Sequence, residues 1–291
     1  MDGNSEGDST DRHGPHGSNG PPEGRNDGIG QRRGRRGHDR ADRDSHGLPG
    51  GLSIAADGLR LVPSDVSFEP GVERDWTYRI RDGAGNVVTD FEETHGESSH
   101  LVLVRRDLTR FRHLHPEMAD DGTWRARLTL PDPGVYRAFV DVRVGGRSTT
   151  LGVDLFAPGA AEFEPRPGST SEAAVEGYVV SLRPAGISAG DAVSLAFELR
   201  SEAGDGPAPR LEPYLGAHGH LVALREGDLA YLHVHPEETD PESGIVRFET
   251  AFPTAGRYRL FLQVKPEGRL ITVPFDVRIG ERAPERASEP A

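Results

Sequence analysis

Residues 51–291 contain eight histidines, and all fall in two short windows: His95, His100, His113 and His115, then His218, His220, His233 and His235. Neutral imidazole is the commonest side-chain ligand of transition metals, so two histidine windows direct attention to metal chemistry. Side chains two apart on a strand point to the same side; His113 and His115 share a face, as do His233 and His235. The midpoint between His100 and His115 falls at Asp107-Leu108, and that between His220 and His235 at Gly227-Asp228. A two-residue hairpin centred there pairs His100 with His115, and His220 with His235, with Cβ atoms about 4.5–5.5 Å apart. Each window thus gathers three imidazoles at the open end of a hairpin. Pro116 and Pro236 end the second strand, because proline cannot donate to a ladder.

Three convergent imidazoles hold zinc in some enzymes and copper in others. Without sulfur the set suits Zn, Cu(II), Ni and Fe, and intrinsic affinity peaks at Cu(II); Cu(II) is the expected ion, with Zn(II) next. The fourth position differs between windows. His95 lies five residues before His100, near Glu92, Glu93 and Glu97, whereas His218 lies two before His220. Met118 has Glu238 at its matching position, so a thioether ligand is not a shared feature. Glu117 and Glu237 follow each His-Pro and are candidates for fixing ring tautomers, or are simply charged loop residues. The plainer reading of all eight histidines is that they flank turns or cap sheet ends through hydrogen bonds. Their recurrence as the same triplet, with no histidine elsewhere in residues 51–291, favours the metal.

The elements that must position these rings are short apolar or alternating runs separated by Gly, Pro and Asp, such as Trp76 to Ile80, Trp124 to Leu130 and Tyr136 to Val142. That is the pattern of an all-β sandwich or barrel. An internal repeat organises them: His100 to Glu117 recurs, without a gap and displaced by 120 residues, as His220 to Glu237. Downstream, Gly134-Val135-Tyr136 answers to Gly256-Arg257-Tyr258, a placement like the tyrosine corner of Greek-key sandwiches. Each copy is about 100 residues, the size of one immunoglobulin-like sandwich. The expected organisation is a disordered tail over 1–50, a sandwich over 51–158, a linker over 159–172, a second sandwich over 173–280 and a disordered tail over 281–291. The first tail is Gly, Asp, Arg, Ser and His with almost no large apolar residue, which leaves too little surface to offset chain entropy. Its His13, His16, His38 and His46 are irregularly spaced.

Composition removes several function classes. The chain has 34 basic and 47 acidic residues, a formal net charge of -13, which argues against a nucleic-acid partner, since phosphate binding draws on Lys and Arg. It has no cysteine, so disulfides, thiolate metal sites and Cys nucleophiles are out. Apolar runs are short, Leu101 to Val104 among the longest, against the about 20 residues a spanning helix needs. No membrane span is expected. The opening Met1-Asp2-Gly3-Asn4-Ser5-Glu6 does not have the form of a secretory leader, and Arg32-Arg33 and Arg35-Arg36 are followed by Gly37-His38-Asp39-Arg40 rather than a hydrophobic run.

The run Asp107-Leu108, Phe111, His113-Leu114-His115-Pro116, with Asp121-Gly122-Thr123-Trp124 and Gly134-x-Tyr136-Arg137-x-Phe139, resembles tandem-repeat bacterial, often actinobacterial, exported proteins of unassigned function. The second copy resembles them through Tyr214-Leu215-Gly216-Ala217, Gly219 to Val222 and Leu229 to Pro236. In fold rhythm and histidine use the chain is also distantly similar to YtkA-like and CopC-like copper-handling sandwiches. The resemblance implies a metal-associated protein outside the cytoplasm, with a membrane copper transporter or another metal-handling protein as partner.

The function expected is therefore non-enzymatic: one His-rich Cu(II) or Zn(II) site per sandwich, for copper sequestration or delivery. Two alternatives stand beside it. One is a metal-independent extracytoplasmic adhesion or interaction module. The other is a zinc- or copper-dependent enzyme using an open three-histidine site, although no HExxH or GxSxG motif accompanies the histidines.

Overall fold

The computed structural model describes residues 49–94, 96–204, 206–237 and 239–282, with the side chains of His233 and His235 outside that description. The two expected tails, with His13, His16, His38 and His46, lie outside it except for residues 49–50 and 281–282, and so does His95. The described residues form nineteen strands and no helix. The first repeat comprises β1 (Ala55–Ala56), β2 (Leu59–Pro63), β3 (Arg74–Arg81), β4 (Ser99–Arg105), β5 (Arg112–Leu114), β6 (Glu117–Met118), β7 (Trp124–Leu128), β8 (Gly134–Val144) and β9 (Arg147–Ala157). The second comprises β10 (Glu172–Val175), β11 (Tyr178–Arg183), β12 (Ile187–Ser188), β13 (Ala192–Ser201), β14 (Leu211–Glu212), β15 (Gly219–Arg225), β16 (Tyr231–Pro236), β17 (Ile245–Ala251), β18 (Gly256–Pro266) and β19 (Ile271–Gly280).

In the first repeat a sheet of order β1-β2-β3-β7-β6 packs on one of order β5-β4-β8-β9. Alternation along the strands sends Trp76, Tyr78, Leu101, Leu103, Trp124, Tyr136 and Val140 into the core between them. The second repeat has the same layers, but its sheets join into one path, because β16 pairs with β15 and then, at His235 and Pro236, with β17. In the first repeat the same strand is broken between Leu114 and Glu117, which leaves β5 and β6 in separate sheets, although the matching Pro236 stays within β16. Both tyrosine corners form. The hydroxyl of Tyr136 donates to the Asp132 carbonyl at 2.9 Å, and that of Tyr258 to the Thr254 carbonyl at 3.1 Å.

The expected register holds: Leu101 pairs with Leu114 and Val102 with His113, and Leu221 pairs with Val234 and Val222 with His233. The two-residue loops do not. The Arg105 amide donates to the Thr109 carbonyl, closing a three-residue loop, while the Arg225 amide donates to the Ala230 carbonyl, closing a four-residue one. Two-residue hairpins need positive φ at one or both central residues and favour Asn-Gly, Asp-Gly or a leading Gly; Asp107-Leu108 offers none of these, and Gly227-Asp228, which does lead with Gly, still opens into the longer loop. Leu108 turns left-handed in the first loop, at φ 62°, and Leu229 in the second, at φ 60°, where Gly227 also has a positive φ of 101°. The repeats therefore align with a shift inside the turn. Asp107-Leu108 matches Asp228-Leu229, each aspartate capping the arginine that precedes its loop.

All seven residues of β4 are buried, and six of seven in β15, so both strands are covered on both faces. What covers the second face is the other repeat. Val102, Val104, Leu108, Phe111 and Phe139 meet Val222, Leu224, Leu229, Tyr231 and Phe261 in a third apolar cluster. The contacts are mirrored: Phe111 stacks on Phe261 at 4.1 Å, and Tyr231, which occupies the place of Phe111, packs on Phe139 at 5.1 Å. Arg137 pairs with Asp154 on one side, and Arg259 with Asp276 on the other. Aromatic pairs of this kind add about 0.5–1.5 kcal/mol each beyond area burial.

The segment before β1 is part of this seam. Gly50 bridges Tyr231, the Gly51 amide donates to Thr150, and the Gly51 carbonyl accepts from Arg137. A side chain at Gly51 or Gly152 has no room, since a Cβ would fall 2.3 Å from Phe139 or 1.9 Å from the Gly51 oxygen respectively.

Candidate metal centre

His100 lies at the start of β4 on the face shared with Val102 and Val104, which is the face turned to the second repeat. His113 on β5 stands opposite Val102, and the chain returns to the same face at His115. The three rings converge, with centroids 5.3 Å (His100–His113), 5.2 Å (His100–His115) and 4.9 Å (His113–His115) apart. One nitrogen from each lies within 4.8 Å of the others. His100 is buried, and the other two are half-buried.

Hydrogen bonding fixes which nitrogens carry protons. Nε2 of His100 is 2.9 Å from the Thr94 carbonyl; a carbonyl only accepts, so Nε2 carries a proton, and in the neutral ring Nδ1 is the lone-pair nitrogen. Nδ1 of His113 is 2.7 Å from Oε1 of Gln263, another acceptor, which places that proton on Nδ1. The nitrogens left facing each other, His100 Nδ1 and His113 Nε2, are 3.1 Å apart, and with both rings neutral and their outer protons so placed, both present lone pairs. Nε2 of His115 is buried without a hydrogen-bond partner. Nitrogens bound at 2.0–2.1 Å to a tetrahedral ion lie about 3.3 Å apart. The donor set fits a cation seated among the three rings, and unprotonated rings are what such a cation requires.

Burial, opposed by the Gln263 bond and reinforced by the neighbouring His100, His115 and His220, holds the His113 ring down to about 3. Burial, with His100 and His220 adding to it, holds His115 down to about 4. Both rings are therefore neutral at physiological pH, the state that binds metal.

The second repeat contributes to this cluster. His220 is buried, its Nε2 donates to the Tyr214 carbonyl at 2.8 Å, and its ring lies 6.0 Å from that of His113. The ring of Tyr214 is 5.7 Å from His220 and 6.3 Å from His115. In both repeats the accepting carbonyl belongs to the first residue of a tight turn just before the strand, Thr94 bridged to Glu97 and Tyr214 bridged to Ala217. His218 is half-buried at the bend before β15. The backbones of His233 and His235 lie on β16, with His233 opposite Val222 and His235 opposite Glu249.

Neither glutamate candidate orients a ring. Glu117 is exposed on β6, and Glu237 accepts from Ser194 at 2.8 Å; Thr94, Tyr214 and Gln263 do that work. Met118 packs against the first core rather than the histidines. Sequence reasoning passes over Gln263 because a single glutamine in a strand carries no local signal. Its face of β18 reads Arg257, Arg259, Phe261, Gln263 and Lys265, so one more polar residue there does not stand out.

Fold and site together define a tandem immunoglobulin-like β-sandwich protein with an imidazole cluster at the seam between its repeats. A family model described as a domain of unknown function (DUF8832) matches residues 54–158 and again residues 173–281. The chain belongs to that family and carries its domain twice. No curated protein matches the chain significantly. Among solved structures it is similar to InvD of Yersinia pseudotuberculosis, at 18% identity over 81% of this chain and 62% of that one, with a TM-score of 0.25. It is also similar to invasin, a bacterial integrin-binding protein, at 18% identity over 77% and 39% with a TM-score of 0.24. The fibronectin(III)-like modules of Clostridium thermocellum CbhA match at 10% identity over 79% and 100%, with a TM-score of 0.23. The chain spans less than two thirds of the length of InvD.

Proposed function

We propose that this protein is a non-catalytic metal-binding protein that holds Cu(II) or Zn(II) through His100, His113 and His115, for sequestration or delivery of the ion. The observation that carries the reading is the proton inventory: two of the three rings have their outer N–H groups committed to acceptors, and the inward nitrogens face a common point. Outer acceptors of this kind are what metal-bound histidines usually possess. The resemblance to copper-handling sandwiches accords with it, and would place the partner among membrane copper transporters or other metal-handling proteins outside the cytoplasm.

Titration of the full chain with Zn(II), and separately with Cu(II) under a competing chelator, tests the proposal. Binding is expected, and His113→Ala and His115→Ala should each weaken it at least 100-fold. Equal binding by wild type and both variants would remove the assignment. A chain that takes up no metal and does not gain thermal stability from it would be read instead as an adhesion or interaction module, the usual service of tandem sandwiches.

A further inference from the structure

We infer that the metal centre is composite: the second repeat supplies the fourth ligand, His220, and an orienting partner, Gln263, so that an ion bound there fastens one repeat to the other. The inference rests on the metal-binding reading above and adds the identity of the site's other half.

Three observations point to it. First, His113 of the first repeat is oriented by Gln263 of the second, so the proton state of a central ligand already depends on the repeats being docked. Second, His220 reaches the same cluster with the same outer hydrogen bond as His100. Each donates Nε2–H to a turn carbonyl six residues earlier in the chain, Thr94 or Tyr214, so that in the neutral ring Nδ1 is the nitrogen able to bind a metal. Third, distance permits it. Imidazoles sharing one tetrahedral ion place their ring centres about 5 Å apart, the spacing the triad already shows, and His220 stands 6.0 Å from His113. On the His113 side its ring stands about 1 Å beyond that spacing; it lies outside the set whose nitrogens come within 4.8 Å of one another, so it must swing inward to bind. Three imidazoles leave a tetrahedral ion one open position, and His220 is the histidine of the second repeat whose ring stands beside that of His113.

A ligand set drawn from both halves makes metal binding and repeat docking one linked equilibrium. Whatever loosens the seam must weaken the site, even far from the ion. Phe261 is the place to look, since it is in the seam and packs on Phe111 rather than serving as a ligand.

The test uses the full chain with Zn(II) for affinity, and Co(II) absorption with Cu(II) electron paramagnetic resonance for ligand number. His220→Ala, and His220→Gln as a variant that can still donate to Tyr214, are compared with His113→Ala and with Phe261→Ala, each checked for folding by circular dichroism. Composite binding predicts a four-nitrogen signature in wild type, loss of one nitrogen in both His220 variants, Zn(II) affinity lowered at least tenfold in them, and a drop of several-fold in Phe261→Ala. Unchanged affinity and spectra in the His220 variants, with binding lost in His113→Ala, would overturn the composite site and leave the first-repeat triad standing. Binding indifferent to all of these substitutions would remove both.

Discussion

The two repeats carry the same hairpin, the same histidine positions and the same tyrosine corner, yet they solve several local problems differently. The first closes its hairpin with three residues and buries the arginine–aspartate pair that holds the loop, leaving Arg105 2% and Asp107 9% exposed. The second uses four residues and leaves the matching Arg225 and Asp228 22% and 39% exposed. Across the seam, Gln263 faces the histidine cluster from β18, and the matching place on β8 is taken by Asp141, which accepts from Thr150 just as Gln263 donates to Thr272. The face between the repeats stayed matched while the chemistry at its ends diverged. Packing tolerates little change in volume, whereas a polar position at the edge of a seam can exchange one group for another as long as each hydrogen bond finds a partner.

The largest effect is expected from cutting the seam. Phe261→Ala and its mirror Phe139→Ala should each cost about 3–5 kcal/mol, the range for truncating a buried aromatic, and should divide one denaturant transition into two. A single unchanged transition in either variant would mean that the repeats are not held by this face. Next come the loop aspartates. Burial alone would raise the Asp107 carboxyl, but hydrogen bonds from Arg105 and Thr109 hold it down to about 2. Asp107→Asn should therefore cost about 3 kcal/mol, toward the value for breaking a buried pair, against about 1 kcal/mol or less for Asp228→Asn. Equal losses in urea denaturation would erase the distinction drawn between the loops.

A smaller effect should appear on acidification of the metal-free protein. The unfolded chain protonates its histidines near pH 6.5, while in the folded protein burial keeps His113 and His115 neutral down to about 3 and about 4. Between those values the unfolded chain binds more protons, so stability is full above about pH 6.5 and declines as the pH falls, by at most about 1.4 kcal/mol per pH unit per ring. Denaturation midpoints between pH 7 and 5 measure it, ahead of the carboxylates, and a flat profile would show that the rings take up protons in place. The finest effect concerns the orienting amide. Gln263→Leu should lower Zn(II) affinity about tenfold, the lower end for losing an outer partner of a ligating histidine, and titration reproducing the wild-type affinity would show that His113 needs no such partner.

Much of the first half of the site can be read in the chain. Spacing alone pairs His100 with His115 and puts His113 beside them, because strand geometry leaves only two faces and the hairpin centre sets the register. Loop length was harder, since a two-residue and a four-residue loop share a centre and differ only in which residue turns left-handed. The union of the two clusters is not visible from spacing, which treats each hairpin separately. Its trace is the run Leu101 to Val104 and its counterpart Leu221 to Leu224, apolar at every position where a half-exposed strand would alternate. Such a run marks a strand covered on both sides, but it does not say by what. The partner of a face is a property of the assembled molecule, and so is the burial of Gln263 that turns an ordinary polar residue into one that orients a ring.

The mirrored seam has a consequence for how such a protein can vary. A self-complementary face is the kind found between identical subunits related by a two-fold axis, where every substitution necessarily appears twice. Here a tether of a dozen or so residues after β9 keeps the partners together at high effective concentration, and each half is encoded separately. Asymmetry at the centre then costs no loss of association, so Gln263 and Asp141 can each be optimised for its own side of the axis.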